Sequence, residues 1–443
     1  MTGTARQVAF SALMRVERDS AYSNLILDKL LSESELSVRD KSFAAMLFYG
    51  VIEKKLLLDY NLARISDKPI NKLDMEVLMI LRMGLYQIFF AESVPDSAAV
   101  NESVKLCKAN QFNSASSFVN GVLRTAVKLG SLQLPDKRKG KNKYLSVKYS
   151  CPETIIRLWR NAYGDEITIS ILESLDGRPP LTAAVNTLKT NTHKLLERLK
   201  NSGVNAEISP ILDDCIVIGG AGSPASLAEY REGLFHIQDA ASHICCKILG
   251  AQPGETVIDA CSAPGGKTFT LSEMMQNKGR LVSCDLYENR LKLVKNGAQR
   301  LGITIIETHA GDSAENNMLP EADRILCDVP CSGLGIIRRK PELRYKEDTG
   351  TETLPELQYE ILENCSRFLK KGGVLVYSTC TLNPAENNGV IERFLREHSD
   401  FRPNSVCIPE KVKRTIDEPD NELTLFPQKN GTDGFFIASV QRI

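Results

Sequence analysis

The second half of the chain alternates short apolar runs with helical stretches. From about Gly233 onward the runs fall at residues 256–259, 280–285, 303–307, 323–328 and 373–377, and residues 434–440 form a closing run. Short apolar runs bounded by turn residues are typical of parallel strands that are buried on both faces. The pattern therefore predicts an α/β fold with a doubly wound, mostly parallel sheet.

The first half of the chain predicts two other modules. Residues 5 to about 130 place apolar side chains such as Val8, Leu13 and Val16 at helical spacing, which indicates an all-helical module. The next stretch mixes predicted helices at 153–163 and 193–201 with predicted strands at 181–185 and 215–218. We therefore expect domains at 1–135, 144–232 and 233–443, the middle one a small α/β adaptor.

Composition limits the class of protein. The chain has 443 residues, 55 basic and 55 acidic side chains, no apolar run that could cross a bilayer and no apolar signal core at its start. We expect a soluble, cytoplasmic protein with no membrane partner. The twelve cysteines are expected to be reduced, and the absence of Cys-x-x-Cys spacing and of a histidine ligand motif predicts no metal site.

Two local basic patches could contact nucleic acid despite the neutral charge balance. The stretch 137–143 fits a solvated linker as well as it fits a phosphate contact. The run Arg338-Arg339-Lys340 follows Cys331 closely, and there phosphate contact is the better interpretation.

Two thiols and one acid follow the ends of two predicted strands. Asp328-Val329-Pro330-Cys331 follows one run and Thr379-Cys380 follows another. If the strands are neighbours, about 4.8 Å apart, both sulfurs and the Asp328 carboxyl could line one base-sized slot. The alternative is that the thiols are buried structural cysteines, which is our interpretation of Cys327, inside its strand.

Such a trio fits methylation of carbon 5 of a pyrimidine. That carbon becomes nucleophilic only after a nucleophile adds to C6, and a thiolate is suited to this. An acid near N3 assists, and Asp328 among apolar strand ends could have its pKa raised enough to serve. A second thiol could then aid release, for which Cys331 is suited. Spacing alone does not show which of the two thiols is the nucleophile.

A turn of small residues follows the first predicted strand. Cys261-Ser262-Ala263-Pro264-Gly265-Gly266-Lys267 opens a helix, so a ligand could approach its backbone amides. A phosphate loop would need glycine at Cys261, and a dinucleotide fingerprint is absent. S-adenosylmethionine needs a ribose acceptor and an adenine contact, for which Asp285 and Asp312 are candidates. Each acid alone could be a helix cap.

Beyond Cys380, Asn383-Pro384-Ala385-Glu386 predicts a helix start. Asn383 would cap the helix, Pro384 would take its first position, and Glu386 would reach back as in a capping box. We assign these residues to structure, with the effect of holding the Cys380 turn rigid.

The motifs together resemble a known family. The catalytic half resembles the RNA cytosine-5 methyltransferases in 261–267, Asp328-Val329-Pro330-Cys331-Ser332-Gly333, Tyr377-Ser378-Thr379-Cys380 and Asp433-Gly434-Phe435-Phe436, with Gln238-Asp239-Ala240-Ala241-Ser242 as the lead-in. The helical module resembles the antitermination factor NusB in Asp40-Lys41-Ser42-Phe43, 81–87, 95–102 and 118–124. The combination resembles the bacterial B-type branch, which acts on small-subunit ribosomal RNA.

The resemblance implies a fold, a cofactor and roles for the candidate site residues. It implies a Rossmann-like methyltransferase domain with a seven-stranded, mostly parallel sheet, preceded by a NusB-like RNA-binding domain and the adaptor. The cofactor would be S-adenosyl-L-methionine, bound by Cys261, Ser262, Ala263, Pro264, Gly265, Gly266, Lys267, Asp285, Asp312 and Asp328. The nucleophile falls on Cys380 and the second cysteine on Cys331, with Asp328 as the third catalytic residue.

The implied reaction is carbon-5 methylation of cytosine 967 in 16S ribosomal RNA, naked or in an assembling small subunit, by a monomer. Two other functions stay open. One is a non-catalytic RNA-binding or antitermination scaffold, and the other is a protein or small-molecule methyltransferase, which does not explain the two thiols. The Pro330-Cys331 arrangement is similar to that of DNA cytosine methyltransferases. The roles of Cys331 and Cys380 could therefore be exchanged.

Overall fold

A computed structural model describes residues 3–19, 23–177, 179–219, 224–316, 318–346 and 353–443. The chain forms two compact units. The first comprises Met1–Asp176 with Ile337–Glu347, and the second comprises Gly177–Ile336 with Asp348–Ile443. The boundary at Asp176 falls inside the predicted adaptor 144–232, and the three-domain division stays a prediction.

The first unit is helical, as its apolar spacing predicts. Leu13, Leu47, Phe48, Ile80 and Leu123 are buried together in one core, because helical spacing brings such side chains onto one face. The helices are α1 Ala5–Asp19, α2 Ser23–Ser32, α3 Val38–Glu53, α4 Lys55–Ile65, α5 Met75–Phe90, α6 Asp96–Ala109, α7 Ser116–Leu129, α8 Lys141–Tyr149 and α9 Glu153–Glu173, with a kink at Gly164 in α9.

A segment from later in the chain completes the first unit. The 3-10 turn Pro341–Tyr345 carries Arg344, whose buried guanidinium donates to the carbonyls of Tyr149 and Ser150 at 3.3 and 3.2 Å. The chain thus leaves the second unit soon after Cys331 to fold with the helices. Sequence periodicity did not reveal this. Arg338, Arg339 and Lys340 lie half-buried in the same segment, and their contact with phosphate stays a prediction.

The second unit begins with a small antiparallel sheet. Its strands β1 Leu181–Val185, β2 Asn205–Ile208, β3 Cys215–Gly219 and β4 Phe235–Ile237 lie in the order β2-β3-β1-β4. The helices α10 Thr192–Asn201 and α11 Ala228–Arg231 accompany it. The strand expected at 181–185 is confirmed. The edge strands β2 and β4 were missed because they are short and carry few apolar residues.

The large sheet has the doubly wound, mostly parallel order that the alternation predicts. Its strands are β5 Thr256–Asp259, β6 Arg280–Asp285, β7 Ile306–Ala310, β8 Ala322–Asp328, β9 Leu369–Thr379, β10 Phe401–Pro403, β11 Glu422–Leu425 and β12 Phe435–Arg442. Seven follow the path β10-β12-β9-β8-β5-β6-β7, and β11 pairs with β12 off this path. The pairs from β9 through β8, β5 and β6 to β7 are parallel, and those of β12 are antiparallel.

The helices of this unit are α12 Ala240–Leu249, α13 Gly266–Met274, α14 Glu288–Leu301, α15 Leu354–Ser366, α16 Asn388–Glu397 and α17 Pro427–Asn430. One strand prediction is displaced: residues 303–307 were expected to form it, but β7 is Ile306–Ala310. The reason is that Ile303 packs in a cluster with Leu291 and Leu301 of α14 before the strand begins. The short strands β10 and β11 were also missed.

Candidate active site

The two thiols meet at the carboxyl ends of neighbouring strands. Strands β8 and β9 pair in parallel, with Asp328 opposite Ser378. Cys331 and Cys380 follow these strands, and their sulfurs lie 3.2 Å apart, within hydrogen-bonding distance. Both side chains are half-buried. The expectation that adjacent strands bring these thiols together is confirmed.

The surroundings favour the protonated form of Cys331. The hydrogen bond with Cys380, burial, and the charges of Cys380 and of the Glu386 carboxylate raise the pKa of the Cys331 thiol well above its ordinary value. Cys327 lies fully buried inside β8, and contact with Cys365 and burial raise its pKa. The structural role expected for Cys327 therefore agrees with its position.

Asp328 ends β8, three residues before Cys331, and the apolar setting expected for it is wrong. Its carboxylate accepts hydrogen bonds from Lys267 Nζ at 2.7 Å and from Ser378 Oγ at 2.8 Å. Lys267 is itself buried, and the negative charge of Asp328 outweighs that burial and raises the pKa of the ammonium. Lys267, at the start of α13, therefore pairs directly with the carboxylate at the end of β8.

Two glycines bring the closing motif against the Cys380 turn. Gly335 N donates to Cys380 O at 3.0 Å, and Gly434 N donates to Gly335 O at 2.9 Å. A Cβ atom on Gly335 would lie 2.0 Å from Gly434 O, so no larger residue fits without movement. This contact gives a physical reason for Asp433-Gly434 to be part of the site, which the sequence did not reveal.

The capping-box role expected for Glu386 is wrong. Asn383 does cap, since its Oδ1 accepts from Ala385 N at 3.3 Å, and Pro384 opens a short 3-10 turn. The Glu386 carboxylate instead accepts from the backbone and hydroxyl of Ser332, from Gln358 and from the Asn383 side chain. Donors from Ser332 and Gln358, distant in the sequence, thus take the place of the nearby backbone amide that a capping box would use.

The small-residue turn opens α13, as expected. Gly265 has φ 114° and precedes the helix, and a Cβ there would lie 2.5 Å from the Phe269 ring. Ser262 N donates to Cys284 O at 2.8 Å, which fixes the turn against β6. The first amides of an α-helix have no acceptor within the helix, so those at the start of α13 could bind a ligand.

Asp285 and Asp312 lie at successive strand ends, as predicted. Asp285 is buried and accepts from Ala263 N, Tyr287 N and Arg290. Asp312 is exposed and accepts from Ala314 N at 2.9 Å, so it also caps a turn.

Three features beside these acids were not found from the sequence. The Arg290 guanidinium donates to Ala263 O at 2.8 Å. Leu286 and Tyr287 are large apolar side chains that are more than half exposed. Asp259 is fully buried, and burial raises its pKa to about 7 although Thr268 donates to it at 2.7 Å. The only signal for these features in the sequence was the apolar pair Leu286-Tyr287 directly after a predicted strand.

One group within the described residues has metal-ligand chemistry, formed by Asp214, Cys215 and His243. Lys247 already pairs with the Asp214 carboxylate at 2.7 Å, and burial raises the pKa of Cys215 far above its ordinary value. The local charges therefore favour an ion-pair network over a bound cation.

Three stretches of the chain match models of known protein families. Residues 246–441 match the family model "16S rRNA methyltransferase RsmB/F", residues 3–128 match the NusB family, and residues 151–223 match the ferredoxin-like domain of RsmF/B-like methyltransferases. The chain is 37% identical over 99% of both chains to the probable ribosomal RNA small subunit methyltransferase B of Bacillus subtilis (strain 168). The chain belongs to the RsmB/F family.

Further known proteins extend the likeness. The ribosomal RNA small subunit methyltransferase B of Shewanella oneidensis is 30% identical over 91% of each chain. The solved structure of PH0851 superposes over 100% of both chains with a TM-score of 0.84 and 26% identity. The chain is thus a SAM-dependent rRNA methyltransferase with a NusB domain. No helix in the described part is long and apolar enough to span a membrane.

Proposed function

We propose that the chain methylates carbon 5 of one cytosine in 16S ribosomal RNA, cytosine 967 by family expectation, with Cys380 as nucleophile and Cys331 aiding release. The observation that carries the proposal is the 3.2 Å contact between the two sulfurs beside Asp328. RNA is read at unpaired bases that can be turned out of the stack, and such a base could reach the half-buried thiols.

The contact between the two sulfurs supports their roles. Cys380 thiolate attacks C6, and the electron pair of the C5–C6 double bond becomes available at C5. After methylation the C5 proton leaves to a base such as water, the double bond reforms, and the C6–sulfur bond breaks. Cys331, whose raised pKa keeps its proton, donates a hydrogen bond to the departing Cys380 sulfur and stabilises it.

Asp328 and Lys267 act as a pair toward the base. Addition at C6 puts negative charge onto N3, and a positioned donor lowers that barrier. The Lys267 ammonium donates to one oxygen of the Asp328 carboxylate at 2.7 Å, and Ser378 Oγ donates to the other at 2.8 Å. We therefore assign the pair, rather than an isolated carboxylic acid, to binding the N3 edge.

The residues present fit S-adenosylmethionine, which supplies the methyl group when bound. Residues 261–267, with the amides at the start of α13, would hold the methionyl part, and Asp285 the ribose diol. Asp312 and Asp328 are the other proposed contacts of the cofactor. The exposed side chains of Leu286 and Tyr287 offer adenine an apolar surface directly after Asp285.

The partner is ribosomal RNA, naked or within an assembling small subunit, and we propose that the monomer acts on it. The basic patches 137–143 and Arg338-Arg339-Lys340 are the proposed phosphate contacts. The domains 1–135, 144–232 and 233–443 and the cytoplasmic location are part of the same proposal.

Incubation with labelled S-adenosylmethionine tests the proposed function. Unmodified 16S RNA, isolated small subunits and a protein extract are offered separately, and labelled RNA is digested to nucleosides. The proposal expects label in 5-methylcytidine alone, from one of the two RNA substrates. Label in protein would favour a protein methyltransferase. RNA binding without label, together with no binding of the cofactor, would favour the scaffold.

A further inference from the structure

The Glu386 carboxylate joins the chain after Cys331 to the chain after Cys380. The side chain is fully buried. Its oxygens accept from Ser332 N at 2.8 Å, Ser332 Oγ at 2.6 Å, Gln358 Nε2 at 3.0 Å and Asn383 Nδ2 at 2.9 Å. Ser332 directly follows Cys331, whereas Asn383 and Glu386 belong to the turn beyond Cys380. One side chain therefore fixes both thiol-bearing segments.

The pattern of donors requires a carboxylate at this position. Each oxygen of Glu386 accepts two hydrogen bonds, one of them from the Ser332 backbone amide, which cannot reverse its direction. A glutamine would place its NH₂ group opposite at least one donor. Within the described residues no lysine or arginine forms an ion pair with Glu386, so hydrogen bonds alone satisfy this buried charge.

The hydrogen-bond network around Glu386 extends to the strands themselves. Gln358 Nε2 also donates to Pro330 O at 2.8 Å, and the Tyr377 hydroxyl donates to Glu386 O at 2.6 Å. Pro330 precedes Cys331 and Tyr377 lies in β9, so the peptide units on both sides of Cys331 are held. Such rigid support limits how far the two sulfurs can separate.

We propose that Glu386 is a positioning residue for the reaction, which holds the Cys331 thiol against the Cys380 sulfur. This inference rests on the proposed function only where it calls Cys331 the releasing thiol. The negative charge of Glu386 lies among the groups that raise the pKa of Cys331, which agrees with that role. The carboxylate therefore acts on Cys331 through its charge as well as through its hydrogen bonds.

Cysteine alkylation tests the inference without RNA. Wild type, Glu386→Gln and the exposed control Glu360→Gln are treated with iodoacetamide across pH 6 to 10, and peptide mass spectrometry follows Cys331 and Cys380 separately. We expect Cys331 in Glu386→Gln to be alkylated roughly tenfold faster than in wild type at pH 8, because loss of the negative charge favours the thiolate. Glu360→Gln should match wild type.

A second variant covers the case in which Glu386→Gln does not fold. Ser332→Ala keeps the carboxylate and removes one hydrogen bond, and its cofactor affinity should equal that of wild type. We expect it to accumulate more covalent protein–RNA adduct and to turn over several-fold more slowly. An unchanged pH profile in folded Glu386→Gln, or unchanged adduct and turnover in Ser332→Ala, would overturn the inference. Because alkylation needs no RNA, absence of methylation would count against the proposed function alone.

Discussion

The ion pair between Lys267 and Asp328 should couple the cofactor turn energetically to the catalytic strand end. At 2.7 Å, Coulomb's law gives about 6 kcal/mol with an effective dielectric constant of 20 and about 1.5 kcal/mol in water. The Asp328 side chain is 26% exposed and the Lys267 side chain 12% exposed, so water screens the pair in part and the coupling lies between these two values. We expect about 2 kcal/mol between Lys267→Met and Asp328→Asn.

A double-mutant cycle measures this coupling. Urea unfolding of wild type, both single variants and the double variant is followed by far-UV circular dichroism at pH 7.5. The double variant should be about 2 kcal/mol more stable than the sum of the single losses predicts. The only tryptophan, Trp159, lies in the first unit, so its fluorescence transition should stay unchanged as an internal control. Losses that add to within about 0.5 kcal/mol would refute the reasoning.

Three further variants probe other contacts of the site. Gly335→Ala puts a Cβ atom 2.0 Å from Gly434 O, so kcat should fall roughly a hundredfold while cofactor affinity persists, as calorimetry can measure. Asp285→Asn should weaken S-adenosylhomocysteine binding at least about tenfold in the same assay. Asp259 keeps its proton in the folded state up to a pKa of about 7, so wild-type stability should fall as pH rises from about 4 to about 7. Asp259→Asn should lose this dependence in urea midpoints.

Matched variants serve as controls for these predictions. Gly121→Ala adds a Cβ atom where no atom lies within 4 Å and should leave kcat unchanged. Glu288→Gln removes an exposed charge near Asp285 and should bind the cofactor as wild type does. Normal turnover in Gly335→Ala, normal affinity in Asp285→Asn, or an equal pH dependence in Asp259→Asn would each contradict the corresponding contact.

The fold of the catalytic half was predictable where the signal was local and strong. Strands β5 and β6 have apolar centres between turn residues, and their observed bounds equal the predicted ones. Strands β2 and β11 were missed because each is only four residues long, too short for a clear pattern. Strand β7 starts late because Ile303 packs against a helix first.

The site was predictable only as far as strand ends determine it. Parallel neighbours bring the residues after them to one edge, which places Cys331, Cys380 and Asp328 together. The partners of these groups come from distant sequence. Neither the pairing of Lys267 with Asp328 nor the contacts of Glu386 follow from spacing. For Glu386, a local capping pattern and a set of long-range hydrogen bonds can use the same residue types.

The covalent intermediate tests the central claim most directly. Wild type, Cys380→Ala and Cys331→Ala are incubated with S-adenosylmethionine and unmodified 16S RNA and separated on a denaturing gel. The account predicts that both variants lose turnover and that only Cys331→Ala leaves a protein–RNA adduct that survives denaturation. An adduct that persists in Cys380→Ala would contradict the account and exchange the roles of the two thiols.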